Sequence, residues 1–458
     1  VNARALLVAA VAVSPTVAAA RENHRMGIPV GHRPIGLAGA YSAVGGDGNA
    51  LWYNPAGLGG LPRQGVSANL AVYHWRTQRI EGFVDYGIDQ GTADAESSDF
   101  ATIPSSLVYA LPLGDAETAQ HGLAAGLFVP DDDTYDIRAS SQVVGTNGAV
   151  QVKASDVLTE RSYWLGAGWG WKPGPVAVGL GAFGVVHTLK RQVIASIFAD
   201  GVQDLEGLSQ AFNLSATDVT AVVQAGALWQ ATPTLRLGLN VRGPSVAPLH
   251  QSGEVLVLFA GDTTPPFLDR HESSAVETEQ RQPLRATVGA AWQATPEVLV
   301  TFDGTYVAAQ PRYTAVDAPT LAPTDAAGRL IRNPRPAARV LEVDIKRSGD
   351  AVVNAALGAE TKLGESFTLR GGVYTDFASV DAPSTADTMD YDLDLFGLAL
   401  GLGFRGERGT TDVGVLVRQG KGSAYSDYRS AADRRPVSST TDAEVFELAF
   451  FLGGSADL

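Results

Sequence analysis

From Thr234 to Arg242 every second residue is apolar. Leu235, Leu237, Leu239 and Val241 share one face, and Arg236, Gly238, Asn240 and Arg242 share the other. Alternation with period two marks a strand with one face in an apolar medium and the other in a polar one. It returns at Leu284, Ala286, Val288, Ala290 and Trp292, at Val298, Val300, Phe302 and Tyr306 against Thr301, Asp303 and Thr305, and at Val413, Val415 and Val417 against Asp412 and Arg418. No run of eighteen apolar residues follows the first twenty, so membrane-spanning helices are excluded. Yet only 18% of the residues are charged, against roughly 25% in soluble proteins, and glycine makes up 51 of 458. Mean hydropathy is +0.03. A chain of apolar, glycine-rich strands without helical spans has one way to sit in a bilayer, a closed barrel in which every backbone group pairs. The expected fold is all-β, a transmembrane antiparallel barrel.

The connections support that expectation. Trp229-Gln230-Ala231-Thr232-Pro233 recurs as Trp292-Gln293-Ala294-Thr295-Pro296, and each copy joins two strands through a tight turn. Further tight turns lie at Lys172–Pro175, Lys362–Glu365 and Gly406–Gly409. Long polar stretches at 131–155, 192–217, 260–280, 309–340, 378–391 and 420–442 read as loops at the opposite end. Short turns at one rim and long loops at the other are the layout of outer-membrane barrels. Strand starts near Val66, Thr102, Gly122, Leu158, Val176, Val219, Thr234, Arg281, Val298, Val352, Phe367, Leu393, Thr411 and Val445 give about fourteen strands. Tyr73, Trp75, Trp164, Trp169, Trp171, Trp229 and Trp292 lie near strand ends, where amphipathic rings form girdles at the two membrane interfaces.

Residues 1–20 read as a secretory signal, with Arg4 as the basic start, Ala5–Val13 as the apolar stretch and Ala18–Ala20 before the cleavage point. The net charge of -15 opposes nucleic-acid binding, and the absence of cysteine removes disulfides and thiolate chemistry. Gly179–Gly184 matches a dinucleotide-binding spacing but lies inside a strand pattern, so it reads as small residues packing in a wall. The histidines lack metalloprotease spacing, although a serine paired in space with His74 or His187 would make a barrel hydrolase. Asp131–Asp133 offers oxygen ligands of the calcium type but reads first as a solvated loop tip. No catalytic residue, metal or cofactor is assigned. Arg236, Arg242, Arg285, Asp303, Arg370, Asp376 and Asp412 face inward and are expected to pair with one another and with a plug.

Residues 31–62 are too glycine-rich and irregular to span a bilayer, so in a barrel they must lie in the lumen or the periplasm. Gly36-Leu37-Ala38-Gly39-Ala40-Tyr41, then Asp47, then Ala50, then Asn54-Pro55-Ala56-Gly57 resembles the start of the outer-membrane long-chain fatty-acid transporters of FadL/TodX type. The likeness extends loosely through Gly126-Leu127-Phe128-Val129-Pro130 to the C-terminus. It implies a Gram-negative outer-membrane barrel of fourteen strands, with a signal at 1–20, an N-terminal luminal plug or hatch at 21–62 and a barrel over 63–458. Such proteins carry hydrophobic molecules, such as long-chain fatty acids or aromatic hydrocarbons, without ATP. A relative class with the same barrel and plug serves protein secretion, and that non-transporting, protein-binding role is the alternative. The expected partners are a hydrophobic small-molecule ligand and outer-membrane lipid, with the chain acting as a monomer. Gly453–Leu458 departs from barrels that end on an aromatic residue.

Three sites are expected on this basis. Asp47, Asn54, Pro55 and Ala56 form the hatch corner, with Pro55 holding Asn54 extended and the Asn54 amide fixing the turn. Ile194, Ile197, Phe198, Leu205, Leu208 and Phe212 recur at about helical spacing, so an amphipathic helix there either presents a ligand groove or packs on the rim. Gly126 and Pro130 mark a lateral exit. Pro130 either breaks the wall or begins the loop at Asp131, and the resemblance favours the break, because in that family a kink in this strand opens the wall.

Overall fold

The computed structural model describes residues 21–22, 26–85, 92–114, 120–145, 148–200, 205–263, 267–321, 324, 341–379, 390–429 and 436–458. The signal read at 1–20 lies outside these residues. In chain order the elements are β1 (Arg21–Glu22), α1 (His32–Gly36), α2 (Ala50–Tyr53), a 3-10 turn (Pro55–Gly60), β2 (Gly65–Asp85), β3 (Thr92–Leu113), β4 (His121–Gly145), β5 (Gly148–Trp171), β6 (Val176–Asp200) and β7 (Leu205–Gln230). There follow β8 (Leu235–Arg242), β9 (His250–Thr263), β10 (Phe267–Ser273), β11 (Glu277–Thr278), β12 (Arg285–Gln293), β13 (Val298–Val307), β14 (Gln310–Leu321) and β15 (Leu341–Gly349). The chain ends with β16 (Val352–Leu363), β17 (Phe367–Asp376), β18 (Asp390–Gly406), β19 (Gly409–Arg429) and β20 (Pro436–Asp457).

Fourteen strands close an antiparallel barrel in the order β2–β3–β4–β5–β6–β7–β8–β12–β13–β16–β17–β18–β19–β20, and β20 returns to β2. Each strand position read from the sequence falls on or just before one of these. The closing seam runs from Ile80↔Ala443 to Gly65↔Asp457, so Gly453–Asp457 is part of the last strand rather than a tail. The tight turns repeat their chemistry as well as their sequence. Thr232 Oγ1 accepts from Leu235 N at 3.0 Å, and Thr295 Oγ1 accepts from Val298 N at 3.2 Å.

The alternation turns the usual protein inside out. Leu398, Leu400, Val373 and Leu357 lie exposed on the outer surface, while Asn354, Glu360, Arg370, Asp376, Asp412 and Glu447 are buried within. Exposed Trp171, Trp229, Trp292, Phe367 and Phe404 ring the short-turn rim, and Trp75, Tyr306, Phe396 and Phe446 ring the other edge of the apolar band. Trp164, read as a girdle residue, instead points into the lumen with 3% exposure, because it shares parity with buried Ser162 and Glu160. Tyr73 is described only in its backbone.

Three of the expected loops are corrected. Of the described residues, 131–145 and 148–155 lie in β4 and β5, 192–200 and 205–217 in β6 and β7, and 420–429 and 436–442 in β19 and β20. Asp131–Asp133 is therefore strand rather than a loop tip. Beyond the bilayer the outer face of a strand is free to be polar, as at Thr188, Lys190 and Gln192, so mean polarity rises and conceals the period. The inner face mixes apolar residues such as Leu189, Val193 and Ala195 with buried polar pairs such as Arg191–Asp156 and His187–Glu160. β9 and β10 extend the wall above β8, and β11, β14 and β15 form a second, three-stranded sheet. This cap packs on the inner face of the tall strands through Leu189, Phe212, Leu214, Val257, Val316 and Ile345.

Candidate functional site

The segment from Met26 to Leu61 lies inside the ring of strands. Its carbonyls and amides meet charged groups on the wall from opposite sides. Asp303 on β13 accepts from Tyr41 N at 3.0 Å, Ser42 N at 2.9 Å and Ser42 Oγ at 2.7 Å. Asp376 on β17 accepts from Met26 N at 3.0 Å and Gly27 N at 2.9 Å. Arg242 on β8 donates to the Trp52 carbonyl at 2.8 Å, and Arg236 on the same strand donates to that of Val44. Gln224 on β7 donates to the Leu51 carbonyl. Arg285 Nη2 approaches the Met26 thioether at 3.1 Å. Apart from those of the Ser42 hydroxyl and the Met26 thioether, these bonds are made to main chain, so the wall holds the path of the segment more than its side chains. Water can replace each of them, so such an anchor is easier to release than an apolar core of the same size.

Below α1 the contacts are ionic. Arg33 grips Glu360 through two nitrogens at 2.8 Å, Glu360 also binds Arg370 at 2.6 Å, and Arg370 binds Asp412. His32 lies 3.7 Å from Asp412, and burial pushes its imidazole below the usual range despite that carboxylate. Asp47 accepts from Asn49 N at 2.9 Å and from the Tyr41 hydroxyl, shaping the turn into α2.

At the hatch corner, Asn54 is extended, with φ -165 and ψ 103, as proline at the next position requires. Its amide oxygen accepts from Ala56 N at 3.2 Å, while its nitrogen donates to Ser42 O at 2.8 Å and to Ala227 O of β7 at 3.0 Å. One side chain thus joins the corner, the segment upstream and the wall. Gly226 and Gly179 make room for it: a Cβ on Gly226 would overlap the Asn54 oxygen, and one on Gly179 would overlap the Pro55–Ala56 peptide. Of the dinucleotide-like motif, Gly179 therefore serves close approach of the luminal segment.

The wall changes character at Pro130. β3 and β4 pair from Leu113↔His121 to Ser106↔Phe128 and once more at Glu96↔Arg138. Among the described residues, no backbone pairing joins the two strands between these points. Both flanks keep one register, and in it Pro104 stands opposite Pro130. Neither proline has an N–H to give, so the ladder fails there. Toward β5, Val129 and Pro130 form a bulge between Phe128↔Trp164 and Asp131↔Ser162. Gly126 lies within the paired part, its missing side chain leaving room for Val108 and Phe128. Pro130 also lines a luminal cavity of about 40 Å³ with Val30, Trp52, Arg242 and Arg285. That is little more than the roughly 30 Å³ share of one water molecule in the liquid.

The helix expected at 192–217 does not form. Ile194 and Phe198 are exposed on the outer face of β6, whereas Phe212 is buried in the cap core, with Val193 as its cross-strand neighbour. Leu205 and Leu208 are described in backbone alone, on β7. Leu189, Val193 and Ala195 against Thr188, Lys190 and Gln192 carried the true period of two. The ligand groove proposed for these residues is therefore not assembled from them. The hydrolase possibility at His187 is also answered by geometry. Ser162, His187 and Asp218 stand opposite one another across β5, β6 and β7. His187 Nδ1 lies 3.3 Å from Asp218, but Nε2 is engaged at 2.8 Å by Glu160, which Arg347 of β15 grips at 3.0 Å. The nitrogen that would activate Ser162 is taken. Sequence reasoning passed over Arg347, Gln224 and the aromatic residues around Arg242; strand parity alone places Gln224, Phe183 and Trp164 inward.

No protein-family model matches the sequence, and no curated protein matches it. Solved structures do. A FadL homologue of Pseudomonas aeruginosa aligns over 94% of this chain and 99% of its own, with TM-score 0.64 and 14% identity. The chain has a FadL-type fold. The toluene transporter TodX of Pseudomonas putida aligns with TM-score 0.58 at 12% identity, and the toluene transporter TbuX of Ralstonia pickettii with TM-score 0.54 at 14% identity, each over 94% of this chain and 99% of the other. At such identity the likeness extends to the FadL-type barrel and not to a substrate.

Proposed function

We propose that this FadL-type barrel lies in the outer membrane of a Gram-negative cell and admits hydrophobic small molecules passively, with residues 26–62 as a movable plug. The observation that carries the reading is the unpaired stretch between β3 and β4 beside Pro130, which also lines the luminal cavity. An apolar molecule that reaches the cavity can leave sideways into lipid. It thereby avoids an aqueous step that costs about 0.8 kcal/mol per CH₂. Long-chain fatty acids and aromatic hydrocarbons both suit such a route, and the solved toluene transporters that share the fold support the second class.

The test is transport in proteoliposomes. The purified chain should accumulate oleate or toluene without ATP. Replacing both Pro104 and Pro130 with valine supplies the missing donors and lets the ladder close. A few restored hydrogen bonds, each worth about 0.5–1.5 kcal/mol net, should then lower uptake about ten-fold. Insertion and heat-modifiable migration should be unchanged. Uptake that is indifferent to this closure would remove the lateral route. A chain that transports neither compound would instead favour the protein-binding role.

A further inference from the structure

Four aromatic rings meet just inside the break in the wall. Trp52 comes from α2, Phe128 from β4, Trp164 from β5 and Phe183 from β6. Their centroids are 5.0 to 6.0 Å apart, and the pairs are tilted or edge-on. All four are at least 92% buried, with exposures from 1% to 8%. Trp52 meets all three wall rings, and a cation lies against three of the four rings. The Arg242 guanidinium carbon lies 4.2 Å from the Trp52 centroid, 5.2 Å from that of Trp164 and 5.6 Å from that of Phe183. Guanidinium is planar and stacks on aromatic faces, so it occupies a space shaped for a flat ring.

We propose that Phe128, Trp164 and Phe183 form a binding station for a planar aromatic ring of the cargo, filled by Arg242 and roofed by Trp52 while the plug is seated. The inference rests on the uptake reading above and assigns its site a ligand class. The anchors of Arg242 in this place include, besides the rings, the Trp52 carbonyl on the plug and Gln224 Oε1 on the wall at 3.2 Å. Withdrawal of the plug removes the carbonyl and the Trp52 face together. The three wall rings stay, because each stands on a strand of the closed barrel. Phe128 is also the last residue that pairs β4 to β3 before the break. A ring held here therefore lies at the inner lip of the opening. Aromatic pairs gain affinity beyond the burial that any apolar group enjoys. A saturated chain gains only the burial, so the station discriminates between the two cargo classes.

The experiment is equilibrium binding of radiolabelled toluene and oleate to the full chain in detergent, followed by uptake of each in proteoliposomes. Trp164→Leu removes a ring, and Trp164→Phe keeps one. Both lose the bond from Nε1 to Ser162 Oγ at 3.2 Å, so their difference isolates the ring. Trp164→Leu should weaken toluene binding about five-fold while leaving oleate nearly unchanged, and Trp164→Phe should stay within about two-fold of the parent. Arg242→Met empties the box and should strengthen toluene binding. Phe183→Leu is the second ring variant should Trp164→Leu lose heat-modifiable migration. The station is overturned if the parent chain does not bind toluene. Equal effects of Trp164→Leu and Trp164→Phe overturn it too, as does a parallel fall of toluene and oleate. Toluene binding with the expected ring dependence but no uptake by the parent chain would sink the transport reading and leave the station in place.

Discussion

Asn54 joins three parts of the molecule with one amide. Its side chain is 2% exposed, and it bonds to Ala56 N, Ser42 O and Ala227 O. Asn54→Ala would leave two carbonyls and an amide without that partner at a buried corner, a loss of about 1–3 kcal/mol. The barrel ladder uses the backbone of β7, not this side chain, so closure of the ring is spared. The effect should fall on the seated state of the plug. A loss of that size raises the unseated population roughly 5- to 150-fold. Limited proteolysis at Arg33 should therefore accelerate, while migration on unheated gels stays that of the intact barrel. Equal protection in Asn54→Ala would show that the corner is held by Pro55 and its glycine neighbours alone.

Among the elements, the cap illustrates what polarity hides. β15 is fastened to the wall by Arg347, whose two nitrogens reach Glu160 at 3.0 Å, while Glu160 also engages His187. Breaking a buried pair by removing one partner costs about 3–5 kcal/mol, because a carboxylate is left without its cation. Arg347→Met should free the β14–β15 hairpin, seen as faster hydrogen exchange at β15 amides with the amides of β16–β20 unaffected. Unchanged exchange at β15 would mean that Ile345 and Val316 hold the cap by packing alone. The fourteen barrel strands were legible because lipid forces one face to be apolar, as Leu235, Leu237 and Leu239 show. No such constraint acts above the bilayer. There, Ile194, Phe198 and Phe212 imitated a helix because outward and inward residues were read as one face. The break at Pro130 was legible from a residue that lacks a donor. Its depth was not, since it depends on Pro104 standing opposite, a matter of register. Nor was the ring cluster around Arg242, whose members come from four separate elements.

For the molecule as a whole, the barrel and its contents are held by different forces. The ring closes through backbone pairing that runs unbroken from β4 round to β20 and across the seam to β2, and that pairing makes no use of residues 26–61. Those residues are held by wall charges, among them Asp303, Asp376, Arg236 and Arg242, on main-chain groups, by the Arg33–Glu360 ion pair and by apolar packing of Leu51, Trp52 and Leu58 against Val108, Phe128 and Trp164. Removing the segment would leave these side chains facing a wide lumen, where water solvates them. The emptied lumen would also expose apolar wall residues such as Val108, Phe128 and Phe183, but the closing pairing of the strands does not depend on them. Deleting residues 26–61 should therefore yield a barrel that still assembles and still shifts on heating. The electrical behaviour should change sharply. With the segment in place its groups bond to β7, β8, β13 and β17 around the wall, so the parent chain should be silent in planar bilayers. The deleted chain should conduct steadily. The cap decides how the result is read. β11, β14 and β15 lie over the β5–β7 side of the mouth and would remain after the deletion. If the deleted barrel assembles but does not conduct, the cap is a second closure and the plug alone does not gate the lumen. Conductance that then appears on combining the deletion with Arg347→Met would assign that closure to the Arg347–Glu160 clasp.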